Sequence, residues 1–181
     1  EKKYIEKCNL CDSNIHTVIT HVDRYGFPAS ASACNNCGLT ILNPVMTPES
    51  YMNFYSDVYR PLVSAYHDRL INSETIQAEQ VEYAYKLTKL IGPFAKEVKL
   101  TTLLDIGGST GVVSRILREK FKLKATVLDP AADELACAEG SEMEVISGFI
   151  EDYNPDGREF DLIVFCQTID HVLDALGSLK K

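Results

Sequence analysis

The chain has 181 residues, 45% hydrophobic and 24% charged, with a formal net charge of −8, enough apolar sequence for one ordinary domain plus a small module. The acid excess argues against nucleic acid or an anionic membrane surface as partner; no run approaches the ~18 apolar residues of a membrane span, and no signal-peptide pattern opens the chain. Six cysteines without a secretory signal point to a reducing compartment, the cytoplasm, and to metal rather than disulfides. Glu1 is not an initiator Met, which reads as trimming or processing.

Residues 1–45 carry two C-x2-C pairs, Cys8/Cys11 and Cys34/Cys37, with 22 residues between them. That spacing is close to a zinc ribbon: each pair makes a tight knuckle, and four thiolates fill a closed tetrahedral shell around Zn²⁺. The other reading of the cysteines is four free thiols or a redox pair. Gly38 eases the second knuckle. His16 to Val22 alternates as a strand, Arg24-Tyr25-Gly26 turns into a second strand, and Leu39 to Leu42 forms a third, stopped by Asn43-Pro44. So small a segment lacks the apolar area to fold alone, so metal must supply the difference. His16 and His21 read as surface strand residues. Four bases (Lys2, Lys3, Lys7, Arg24) balance four acids (Glu1, Glu6, Asp12, Asp23) through Met46, leaving no basic stripe for phosphates.

A helical connector spans 46–100. Thr47-Pro48-Glu49 is a helix start, followed by the apolar stripe Tyr51, Phe54, Tyr55, Val58 and Tyr59. That stripe reads as packing, with a substrate-facing tyrosine hydroxyl the alternative. Pro61 is expected to break the helix, and a second helix to cover 62–71. Asn72-Ser73 caps a third over 74–91 with Ile76, Tyr83, Leu87 and Leu90 on one side, ended by Gly92-Pro93. His67, Asp68 and Arg69 belong to a solvated face.

From Thr101 the pattern changes to alternating strands and helices. Leu103, Leu104 and Ile106 form a short apolar strand with Asp105 near its tip. A glycine-rich turn follows, then a helix with Val112, Val113, Ile116 and Leu117 on its buried face. This is the first βα unit of a doubly wound sheet, where ligands bind at the end of the first strand. A dinucleotide fingerprint would need glycines at 107, 109 and 112, but Ser109 and Val112 stand at two of those positions. No Gly-Lys-Ser/Thr closes a phosphate loop. What stands there is Asp105-x-Gly107-Gly108-Ser109-x-Gly111, with the last glycine placed for close packing of helix and strand. A carboxylate at that turn repels pyrophosphate and suits S-adenosylmethionine (SAM), which carries an ammonium and a sulfonium. The alternative is a glycine turn with no ligand.

At this point the chain resembles the class I SAM-dependent methyltransferases, whose motif reads Asp-x-Gly-x-Gly-x-Gly; Ser109 replaces the middle glycine. Asp129, 18 residues past Gly111 at the tip of a second strand (125–129), fits an acceptor for a ribose diol, and Pro130 beside it is counted with the cofactor-binding positions. A short helix over 131–139 and a third strand over 144–149 follow. The resemblance assigns Ile150, Glu151 or Asp152 to the adenine; a solvated acidic turn is the other reading. Phe160 to Phe165 is a fourth strand whose continuous apolar run predicts burial on both faces. After it, Gln167 and Thr168 would lie beside the methionine end of the cofactor. Asp170-His171-Val172 nearly matches the family's Glu-His-Val, which makes His171 either a base near the substrate or a residue that orients the loop. Cys137 and Cys166 read as buried small hydrophobes.

The expected architecture is therefore α/β. A zinc ribbon (1–45) and a helical connector or lid (46–100) precede the N-terminal half of a Rossmann-like SAM-binding domain (101–181). The family sheet has seven strands in the order 3-2-1-4-5-7-6, and only four are visible. The fourth would leave an apolar edge that a missing C-terminal half or a partner chain is expected to cover. Both cysteine pairs, the Asp23-Arg24-Tyr25-Gly26 turn and Asn43-Pro44 resemble bacterial sugar C-methyltransferases and relatives from surface-polysaccharide clusters. The resemblance implies a small acceptor such as a nucleotide-linked sugar; an RNA methyltransferase guided by the ribbon and a non-catalytic SAM-binding scaffold are the alternatives.

Overall fold

The structure, a computed structural model, describes residues 1–14 and 16–181, which divide into two compact units, 1–69 with 174–181 and 70–173. No helix among the described residues is long and apolar enough to cross a membrane.

In the first unit, β1 (Lys2–Lys3) pairs antiparallel with β5 (Val45–Met46), and β2 (His16–Val22), β3 (Pro28–Cys34) and β4 (Thr40–Leu42) form an antiparallel meander. Asp23 shapes the β2–β3 turn: its Oδ1 accepts from Tyr25 N and Phe27 N at 2.8 and 2.9 Å, and Gly26 takes the left-handed φ of 85°. Asn43 ties the strand pair to the N-terminus, accepting from Ile5 N and donating to Ile5 O, each at 2.9 Å. Thr47 caps α1 (Pro48–Asn53) by accepting from Ser50 N.

Pro61 does not break the helix. The coil widens to π geometry over Phe54–Tyr59 and continues as α2 (Arg60–Tyr66), so the expected second helix ends at Tyr66 rather than 71. A widened turn relaxes the clash a proline ring makes with the carbonyl one α-turn back, which explains why the chain stays helical. Tyr51, Tyr55 and Tyr59 stack in series with centroids 5.1 and 5.0 Å apart, but Val58, placed on the same stripe, is exposed. His67, Asp68 and Arg69 lie in the exposed turn after α2. Asp174 caps α7 (Ala175–Leu179) through Gly177 N and accepts from Asn9 Nδ2 at 2.6 Å.

The second unit opens with α3 (Ser73–Ile91), fixed by a reciprocal cap between Asn72 and Thr75, then a short α4 (Phe94–Glu97). Its sheet is parallel in the order β8-β7-β6-β9, with β6 at Thr102–Ile106, β7 at Lys124–Asp129, β8 at Glu144–Ser147 and β9 at Leu162–Phe165. This is the 3-2-1-4 half of the class I order. Helix α5 (Val112–Phe121) and α3 pack on one face of the sheet around Leu103, Val113, Leu117, Leu123, Ala125, Ala84 and Ile91. Ile150 and Tyr153 cover the other face over Leu104, Ile106 and Leu128. Leu90 is exposed, because α3 buries the stripe through Ile76, Ala84 and Ile91 instead.

Three further expectations change. β9 is an edge strand with Ile163 51% exposed, not a strand buried on both faces. Helix α6 covers only Ala132–Leu135 before irregular turns, and Cys137, on those turns, is exposed rather than buried. Asp161 ties the start of β9 to that of β6: its Oδ2 accepts from the backbone and hydroxyls of Thr101 and Thr102, which holds its carboxyl down at about 2.

Candidate functional site

The glycine turn joins β6 to α5 at the carboxyl end of the sheet. Gly107, Ser109 and Gly111 all have positive φ (73°, 51° and 72°), a conformation glycine takes freely and serine at a cost. Each neighbour explains a small residue. A Cβ on Gly107 would fall on the Thr168 side chain, and one on Gly108 would lie 2.6 Å from Val127 Cγ1 and 3.0 Å from the Asp105 carboxyl carbon. On Gly111 it would meet Ala138 Cβ at 2.8 Å, so this glycine makes room for the turns after α6 rather than for strand packing.

Asp129, 7% exposed, braces the turn from β7. Its Oδ2 accepts from Ser109 N and its Oδ1 from Ala131 N, each at 2.8 Å, across Pro130. The Ser109 hydroxyl donates to Glu134 of α6, a contact with no counterpart if position 109 were glycine. Ile150 is buried in the core, so any ligand beside it meets its backbone. Glu151 Oε1 accepts from Leu173 N at 2.7 Å, and Asp152 is exposed. Beyond β9, Gln167 is exposed with φ of 59°, and Thr168 half-covers Gly107. His171 stands in a 3-10 turn (Ile169–His171), its Nε2 3.6 Å from Asp170 Oδ2.

In the other unit, the four cysteine sulfurs converge, all within 4.8 Å of one another. Cys8 Sγ and Cys37 Sγ are 3.5 Å apart, and Cys11 Sγ and Cys34 Sγ 3.6 Å. A tetrahedron with Zn–S bonds of about 2.3 Å places its sulfurs roughly 3.8 Å apart. Both knuckles are closed by backbone bonds, Asp12 N to Cys8 O and Gly38 N to Cys34 O, each 2.9 Å. The backbone N–H of Cys37 pulls the Cys34 thiol down to about 6. Cys37, although the Leu39 N–H favours its thiolate, is pushed up to about 12 by desolvation and the neighbouring sulfurs. Crowded thiolates resist joint ionisation until a cation joins them.

The sequence profile of the methyltransferase domain family matches residues 77–181, more than half of the chain. The chain belongs to the methyltransferase domain family. Its fold is similar to that of the plantazolicin methyltransferase BpumL, solved with a desmethylPZN analogue and S-adenosylhomocysteine (SAH): TM-score 0.50, 15% identity, covering 72% of this chain and 50% of that one. A putative SAM-dependent methyltransferase from Methanococcus maripaludis is similar at TM-score 0.48 and 18% identity, over 60% of this chain and 51% of that one. Streptomyces venezuelae DesVI scores 0.43 at 19% identity, over 55% and 43%. The chain thus spans about half the length of the solved structures it matches. No curated protein matches its sequence.

The electrostatics of the methyltransferase domain are one-sided. The loop segments 105–111, 129–134, 150–152 and 166–171 hold seven acids and no Lys or Arg. Such a set does not fit a pyrophosphate and does fit a ligand bearing positive charge. Asp105 is completely buried behind the turn rather than open at its mouth. Ser114 Oγ donates to its Oδ2 at 2.6 Å, while Oδ1 is buried with no hydrogen-bond partner among the described residues. Burial raises its carboxyl to about 6, against the Ser114 bond and with help from the Asp129 charge. The Cys166 thiol, bonded to the Tyr83 hydroxyl, is pushed up to about 12 by desolvation and by Asp105.

Three residues of the methyltransferase domain carried no functional reading in the sequence. Glu134 holds Ser109, Tyr83 meets Cys166, and Gln80 of α3 accepts from Thr110 Oγ1 at 2.6 Å. Only Gln80 had a legible signal: it lies four residues from both Ile76 and Ala84, a polar side chain on the buried stripe of α3.

Proposed function

We propose that the protein is a SAM-dependent methyltransferase with a structural zinc ribbon, acting on a small molecule such as a nucleotide-linked sugar. The observation that carries the reading is the glycine turn braced by Asp129, in a set of loop segments that hold seven acids and no Lys or Arg. Membership of the methyltransferase domain family supports it. When bound, SAM supplies an electrophilic methyl group on a sulfonium. The chain's own residues position it. Gly107, Gly108, Ser109 and Gly111 keep the backbone bare, and Asp105 contributes negative charge from beneath. Asp129, at the tip of the second strand of the sheet, accepts from the ribose diol. The 150–152 loop faces the adenine, with Asp152 the one acid there that is exposed. Gln167 and Thr168 flank the methionine end, and His171 takes the proton of the acceptor, a general base positioned on a short turn.

Cys8, Cys11, Cys34 and Cys37 hold Zn²⁺ as a closed site with no place for a substrate. The sugar assignment rests on the likeness of the cysteine module, the Asp23–Gly26 turn and Asn43-Pro44 to bacterial sugar C-methyltransferases. A cytoplasmic setting suits reduced thiols, and further strands from this protein or a partner fit the open side of β9. Methyl-transfer assays against nucleotide sugars and bulk RNA separate this reading from an RNA methyltransferase, and SAM binding without transfer to either identifies a scaffold. Asp129→Ala is expected to weaken SAM binding by roughly 1–3 kcal/mol, the range for unpaired hydrogen-bonding groups. Unchanged affinity by competition titration removes Asp129 from the site.

A further inference from the structure

The methyl donor proposed above has a negative end as well as a positive one: its amino-acid carboxylate. The acids around the glycine turn offer that carboxylate nothing, and no Lys or Arg lies in the four loop segments. Three N–H groups of the turn are already taken. Gly107 N donates to Leu128 O at 2.7 Å, Ser109 N to Asp129 Oδ2 at 2.8 Å and Gly111 N to Gly108 O at 2.9 Å. The N–H groups of Gly108 and Thr110 remain in the turn, and a neutral side-chain donor beside them would complete a carboxylate site.

Gln80 is the side chain that reaches the turn from α3. Thr110, 3% exposed, donates from Oγ1 to Gln80 Oε1 at 2.6 Å. That bond fixes the amide: with Oε1 held against Thr110, Nε2 shares the same carbon and faces away from that bond. Its two N–H groups have no partner among the described residues. We infer that Gln80 is a specificity-determining residue whose amide N–H groups hold the carboxylate of the methyl donor, so that the site selects ligands carrying the intact amino-acid end. The inference rests on the methyltransferase reading and names the partner of one end of its cofactor.

Gln80→Glu tests it. Glutamate keeps an oxygen to accept from Thr110 but replaces the N–H donors by a second, negatively charged oxygen. Calorimetric titration of the whole chain with SAH, and with 5′-methylthioadenosine, which lacks the amino-acid end, gives two readouts. Gln80→Glu should weaken SAH by roughly tenfold or more, while 5′-methylthioadenosine changes less than about twofold. Gln80→Ala should lower the preference for SAH over 5′-methylthioadenosine in the same direction, by roughly fivefold. An equal fall for both ligands assigns Gln80 a purely structural role and overturns the inference, as does SAH binding that Gln80→Glu leaves unchanged. An unmodified chain that binds neither ligand overturns the methyltransferase reading itself, and the inference with it.

Discussion

Stripping metal from the whole chain is expected to unfold the cysteine module while the parallel sheet persists. The module has almost no apolar core of its own. Val18, Ile19, Val22, Phe27 and Leu42 are each about half exposed, whereas Cys8 and Cys34 are 1% and 2% exposed. Among the described residues of this segment the buried side chains are two of the proposed ligands and Ser32, so burial alone cannot offset the chain entropy of ordering roughly 45 residues. A structural zinc contributes about 10–16 kcal/mol at neutral pH, far beyond any single contact there. Purified protein should hold about one zinc per chain. Treatment with a strong chelator should make residues 1–46 protease-sensitive and leave 101–173 resistant; Cys34→Ser should do the same without chelator. A metal-free protein whose module stays protected would refute the zinc assignment.

Asp105→Asn is expected to stabilise the protein and to weaken its cofactor binding. The carboxyl of Asp105 is completely buried and raised to about 6 from an ordinary value of 3.8, desolvation being the main cause. The folded state therefore holds this proton at a pH where the unfolded chain has released it. Stability falls as pH rises from about 4 to about 6, and the full penalty, roughly 3 kcal/mol for two pH units at about 1.4 kcal/mol each, stands at pH 7. Asparagine has the same shape and no charge. It can keep an oxygen toward Ser114 but sets N–H groups where Oδ1 already lacks a partner, so the gain at pH 7.5 should be about 1–3 kcal/mol and fade by pH 4. Urea unfolding at the two pH values measures it. A variant less stable than the parent at pH 7.5 would contradict the assignment of a strained buried charge. Retaining an ionised carboxylate at such a cost makes sense for a site that must attract a cation.

The parallel sheet was legible because its strands announce themselves: Leu103 to Ile106 and Ala125 to Asp129 are apolar runs ending at glycine or proline, and both are buried as expected. The cysteine pairs were legible from spacing alone. What failed did so where tertiary context overrides local pattern. Pro61 was read as a breaker, yet a π-turn absorbs it, and no periodicity announces a π-turn. On α3, counting apolar residues selected Leu87, which packs against the core, but also Leu90, which is exposed, while the buried stripe runs through small Ala84 and includes Gln80. Asp105 was placed correctly on the strand but not in depth, because depth depends on Ser114 and Val127 arriving from elsewhere. Cys137 looked like a core residue in a helix that ends two positions earlier.

The central claim is that a glycine turn over buried Asp105 and braced by Asp129 receives a positively charged nucleoside rather than a phosphate-bearing one. Equilibrium titration of the unmodified chain with SAM, NAD and ATP tests it most directly. The account predicts saturable 1:1 binding of SAM that Asp129→Ala weakens, with NAD and ATP at least about a hundredfold weaker. Tight binding of NAD or ATP, displaced by neither SAM nor SAH, would contradict it.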